Sequence, residues 1–157
     1  VTSMRSMFIN CQNLTSLDAS NFNTSNVTDM WAMFHNLYDA TSVDVSNWDT
    51  SNVTTMQWMF TSLGQLNGGV SVDVIGVENF NIEALNSTND LSNFMTSVTL
   101  PTSRYDALLV NWDTQDPFNN MTPHFGSSEY TAGGTAAAAR ANLISTDGWT
   151  ITDGGAA

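Results

Sequence analysis

Serine and aspartate recur at two-residue spacing along this chain, as Ser16-x-Asp18-x-Ser20, Ser42-x-Asp44-x-Ser46 and Ser71-x-Asp73, with Ser97-x-Thr99 as a further echo. Between them stand apolar residues, Leu17 and Ala19, Val43 and Val45, Val72 and Val74. Strict alternation of this kind marks short strands with one face buried. Stacked in parallel, they align Ser16, Ser42, Ser71 and Ser97 in one column, Asp18, Asp44, Asp73 and Thr99 in a second, and Ser20 and Ser46 in a third. Parallel strands lie about 4.8 Å apart, so the three carboxylates repel by roughly 1 kcal/mol per neighbouring pair in water. Serine hydroxyls, a raised pKa or a bound cation would relieve this. The chemistry suits a polar docking strip for a protein or glycan, and Ca²⁺ on Asp18, Asp44 and Asp73 is the one cofactor it admits. The plainer reading is a solvated aspartate ladder that keeps a sheet from pairing with its neighbours.

Other chemistry is sparse. His35 and His124 are the only histidines, and neither lies in an H-E-x-x-H pattern; no G-x-S-x-G or phosphate loop occurs. Carboxylates are plentiful, but no pair stands out as a glycosidase's, and the expectation is a protein without catalytic activity. The loop 113–119 and the Asp147-Gly148 and Asp153-Gly154 pairs hold oxygen ligands, yet none has EF-hand spacing, and they read as ordinary turns. Cys11 is the only cysteine, which excludes an internal disulfide and reads as a small core residue. Six Asn-x-Ser/Thr sequons, at Asn13, Asn23, Asn26, Asn52, Asn86 and Asn120, are close to the number chance supplies in so polar a chain.

The elements that would position these residues come from a repeat. Val1, Val27 and Val53 open successive copies 26 residues apart, with Met4, Met30 and Met56, then Met7, Met33 and Met59, then Phe8, Phe34 and Phe60 in register. Apolar residues at i, i+3 and i+4 predict a short helix in each copy, its methionines filling the core between turns. Trp31 and Trp58 fall at non-equivalent places, so at least one is expected to be exposed, as an anchor for a partner or sugar ring. Asn21 and Asn47 occupy equivalent turn positions and suggest a hydrogen-bonded asparagine ladder. Thr24/Thr50 and Thr28/Thr54 are too few for an ice-binding plane. After the repeats, Tyr105, Leu108, Leu109 and Trp112 define one side of a helix over 102–112. A second helix is expected over 135–145, with short strands over 121–125 and 149–153. The segment 64–69 stretches the third copy, and 76–90 reads as an irregular excursion.

The unit N-V-T-x-M-x-x-M-F followed by L-T-S-L-D-x-S-N resembles the 26-residue repeat of BspA-like bacterial surface proteins, a leucine-rich-repeat family also called DUF285. The strings YDALLVNW, YTAGGTAAAARANLI and GWTITDGG resemble a closing segment found in such proteins. The resemblance implies a secreted or cell-surface protein used in adhesion, and carries no functional residues to transfer. The fold expected is an α/β repeat: a leucine-rich-repeat-like right-handed solenoid of about six rungs, with a parallel sheet on one face and short helices on the other. It would span 1–100, irregular over 64–90, with divergent repeats and a cap over 101–157.

Composition narrows the partners. The 157 residues carry 15 acidic against 3 basic residues, all arginine, for a net charge of −12. A chain so acidic repels nucleic acid and anionic lipid, and no apolar run is long enough for a membrane-spanning helix. Val1 follows no initiator Met or apolar leader, so a signal segment is expected to have been removed or to lie outside this sequence. The expected role is an extracellular module binding a protein or glycan on a host or neighbouring cell. The alternative is a piece of a self-assembling fibre, surface layer or virion appendage, associating end to end because its first repeat sits in register without a cap.

Overall fold

The computed structural model describes residues 1–66 and 71–157. Its elements are β1 (Ser16–Asp18), β2 (Ser42–Asp44), β3 (Asp73–Ile75), a 3₁₀ turn (Val77–Asn79), α1 (Thr102–Asp113), β4 (Glu129–Tyr130), α2 (Thr135–Ser145) and β5 (Gly155–Ala156). β1, β2 and β3 form one parallel sheet in that order, and β4 and β5 a separate parallel pair. The expected six-rung solenoid is therefore not the fold: among the described residues there are two small sheets rather than one continuous face, and the only α-helices follow residue 100.

The M-x-x-M-F segments explain much of the difference. Each is a train of turns in which main-chain donors alternate in direction. The N–H groups of Met4, Ser6, Phe8 and Asn10 donate sideways to the carbonyls of Asp29, Trp31, Met33 and His35, all at 2.9 Å. Those of Met7, Ile9 and Cys11 donate three residues back, to Met4, Ser6 and Phe8. A helix needs every N–H to return four residues within its own segment; here every second one leaves for the next copy. Two residues per copy also adopt a left-handed backbone, Ser6 and Asn10, Ala32 and Asn36, Trp58 and Ser62. The apolar spacing still does its packing work, since Met30, Met33, Phe34, Met56, Met59 and Phe60 are all fully buried.

The pattern continues once more in a place the spacing hid. Met56, Trp58, Phe60 and Ser62 donate to Asp90, Ser92, Phe94 and Thr96, and Asn93 and Ser97 are left-handed in turn. Leu91, Phe94 and Met95 thus stand where Met56, Met59 and Phe60 stand one copy earlier. The segment 76–90 is less an excursion than the rest of the third copy. Phe22, Trp48 and Phe80 stack at 6.4 and 6.3 Å, so Phe80 holds the same aromatic position. Thr24 and Thr50, both buried, bridge the copies: each hydroxyl donates to the carbonyl of the residue opposite, Asp49 or Asn81, and accepts that residue's N–H. Threonine makes this ladder, while Asn21 and Asn47 lie exposed.

Both C-terminal helices match expectation closely. α1 buries Tyr105, Leu108, Leu109 and Trp112; α2 buries Ala136, Ala139 and Leu143 and packs on α1. The strands expected over 121–125, before α2, and 149–153, after it, shrink to a single bridge, His124 to Thr152, and the last pairing moves to β5. Arg140 of α2 pairs with Asp153 (2.7 Å), whose side chain is 3% exposed and also accepts from the Tyr105 hydroxyl at 2.7 Å. The Asp153-Gly154 turn is thus a locking point. Burial and the Asp153 carboxylate push the Tyr105 phenol far above its ordinary range. Cys11, expected in the core, is exposed.

Candidate functional site

The polar strand face forms only in part. β1 and β2 pair as expected, Ser16 with Ser42, Leu17 with Val43 and Asp18 with Asp44. β3 enters two residues out of the expected register: Ser42 faces Asp73, Val43 faces Val74 and Asp44 faces Ile75. The row of three carboxylates is therefore broken, with Ile75 in its third place. A slip of two residues leaves every side chain on its expected face, so alternation cannot detect it. Gly76 makes the register specific: a Cβ there would lie 2.2 Å from the Ser46 Cα. Asp73 is engaged by Arg104 of α1, Nε to Oδ1 at 2.9 Å, and the same guanidinium pairs with Glu78.

The remaining residues of the expected face disperse. Ser20 donates from its hydroxyl (2.6 Å) and its N–H (3.0 Å) to Asp18, holding that exposed carboxyl below its ordinary pKa. The Ser46 N–H donates to Asp44 at 2.9 Å. Ser71 is exposed but precedes β3, and Ser97 belongs to the fourth turn train with a left-handed backbone. Thr99 lies beside Val72, whose N–H its carbonyl accepts. Among the described residues no three acidic, histidine or cysteine side chains converge as cation ligands. Asp18 and Asp44 stand side by side, but Asp73 does not join them, and Asp18 is relieved by serine.

A second surface is better formed. On the turn trains, Arg5, Trp31, Gln57 and Ser92 occupy one column and touch in succession. The Arg5 guanidinium lies 3.9 Å over the Trp31 ring, Trp31 Nε1 donates to Gln57 Oε1 at 3.2 Å, and Gln57 Nε2 donates to Ser92 Oγ at 2.7 Å. In the adjoining column Ser6, Ala32 and Asn93 are small or short, but the third copy places Trp58 there, with a φ of 63°. A bulky residue in the left-handed region is an outlier worth explaining by function. The small Ala32 beside two half-buried indoles leaves an open, apolar cleft of about 250 Å³ lined by Ile9, Trp31, Ala32, His35 and Trp58. The imidazole of His35 sits 5.7 Å from the Trp58 ring. Its desolvation lowers the pKa and favours the neutral ring, and its Nδ1 is buried without a hydrogen-bond partner. Sequence spacing marks the two tryptophans as non-equivalent; that they meet across a copy boundary follows only from the stacking.

The other candidate loops are occupied differently. Asp113 accepts from Asn142 at 2.7 Å, while Asp116 lines a wide polar cleft with Glu83, Phe118 and Asn119. Burial, then the charges of Asp113 and Asp116, raise the pKa of Asp147.

A family model described as "Mycoplasma protein of unknown function, DUF285" matches residues 1–99. The chain belongs to the DUF285 family. The match covers the turn trains and the three-stranded sheet, and supports the BspA-like reading of the repeat; α1, α2 and the β4–β5 pair lie beyond it. No curated protein and no solved structure matches the chain.

Proposed function

We propose that this DUF285 protein is a non-catalytic interaction module, displayed outside the cell, that docks a protein or glycan partner. One observation carries the reading: Trp31 and Trp58, drawn from different copies, wall an apolar cleft that is open to solvent. Aromatic side chains at a surface are strong anchors because they bury much area at little conformational cost. The half-formed Ser/Asp face of β1 and β2, with Asp18 and Asp44 aligned, supplies a polar surface for partner contact on the first two copies. Binding of the labelled chain to a glycan array and to a panel of immobilised surface proteins, beside a Trp31→Ala/Trp58→Ala double variant, tests this. Binding that survives in the double variant would remove the cleft from the reading, and turnover of any bound glycan would overturn the non-catalytic assignment.

A second reading, assembly of copies end to end, is favoured by the first repeat. Met7 is 46% exposed where its equivalents Met33 and Met59 are fully buried, and Leu17 is half-buried where Val43 is fully so. Sedimentation of the purified chain over a wide concentration range decides it: a constant monomer mass would sink assembly.

A further inference from the structure

The cleft's chemistry narrows the partner further, on the reading that it is a docking site. Its walls are two indoles, an isoleucine, an alanine and an imidazole. Burial lowers the pKa of that imidazole and so disfavours the charged form that would repel a cation. The molecule already shows what an indole on this surface accepts, for the Arg5 guanidinium carbon lies 3.9 Å over the Trp31 ring while the guanidinium approaches Asp29 at 3.7 Å. Guanidinium is weakly hydrated and planar, stacks on indole, and trails an aliphatic stem that covers apolar surface. All three arginines are committed within the chain, to Asp29, to Asp73 and Glu78, and to Asp153. The net charge of −12 is therefore left to attract basic partners from a distance. Trp58 occupies a place where the other copies carry Ser6, Ala32 and Asn93, in a backbone conformation unfavourable to it, so packing alone does not account for its choice.

We propose that the cleft between Trp31 and Trp58 receives an arginine side chain from a basic segment of a protein partner, its guanidinium stacked on Trp58 and its stem against Ile9 and Ala32.

Three synthetic peptides test this, equal in length and alike in a Gly/Ser/Lys background, with arginine, its neutral isostere citrulline, or phenylalanine at the centre. Binding is followed by tryptophan fluorescence and by the indole NMR resonances of Trp31 and Trp58. The arginine peptide is expected to bind about fivefold tighter than the citrulline peptide at low salt, and the preference to vanish in Trp58→Ala. Ala32→Phe, which fills the cleft while keeping both indoles, should abolish the preference as well, and circular dichroism verifies that each variant folds. Tightest binding by the phenylalanine peptide, with the same indoles shifted, would overturn the arginine assignment while leaving the cleft a docking site. Indoles unmoved by all three peptides would also overturn it, and docking would then rest on the glycan and protein panels alone.

Discussion

Thr50 holds two main-chain groups of the neighbouring copy with one hydroxyl, donating to the Asn81 carbonyl at 3.0 Å and accepting its N–H at 2.8 Å. Thr50→Val keeps the shape and removes both bonds, leaving buried polar groups unpaired, so a loss of about 1–3 kcal/mol is expected in urea unfolding. An unchanged midpoint would show that water replaces the hydroxyl. Asp147 works in the opposite direction. Burial and its acidic neighbours raise its folded pKa, so its ionised form disfavours folding at neutral pH, and this penalty fades as pH falls through the raised pKa. Asp147→Asn should accordingly raise the melting temperature at pH 7 and lose that advantage in acid. A variant less stable than wild type at pH 7 would contradict the assignment.

Among the elements, α2 is tied to the end of the chain through Arg140 and the buried Asp153, which Tyr105 of α1 also contacts. Arg140→Met takes the cation from a buried carboxylate that keeps only the Tyr105 hydroxyl and the Gly155 N–H, so it should cost about 3 kcal/mol, measured by denaturant unfolding. The two helices were legible in the sequence because their apolar residues recur with helical period and their main-chain bonds stay within the segment. The M-x-x-M-F units share that spacing, but their left-handed residues, Ser6 and Asn10 in the first copy, send alternate N–H groups sideways. Side-chain periodicity does not report the direction of main-chain bonds. The strand face was legible to the same depth: alternation identified Val72 and Val74 as buried, but was blind to the two-residue slip that takes Asp73 from the carboxylate row to Arg104. The tryptophan cleft was half visible, since the odd placement of Trp31 and Trp58 could be read and their meeting beside Ala32 could not.

At the scale of the molecule, the excess of negative charge and the dispersed aspartates lead to two expectations. Adding Ca²⁺ or a chelator should leave the melting midpoint unmoved, because Ile75 and Arg104 interrupt the only carboxylate row the strands could build. A midpoint that rises with Ca²⁺ would reveal a cation site elsewhere. Association with a basic partner should slow steeply as ionic strength rises, since steering by the −12 charge is screened beyond about 8 Å at physiological salt; stopped-flow rates insensitive to salt would argue against it. The lateral bonding has one more consequence. Phe8 reaches Met33, 25 residues on, and Phe60 reaches Phe94, 34 on, so nine added residues (34 − 25) pass between rows whose bonding is unchanged. Some leave as a small loop over 86–89, closed where the Asn86 and Ser87 N–H groups meet the Asp90 carboxylate. Chain length between rows thus differs from copy to copy while the lateral ladder persists, and the longer third copy rejoins it already at Thr88, whose carbonyl accepts the Thr122 N–H at 3.1 Å.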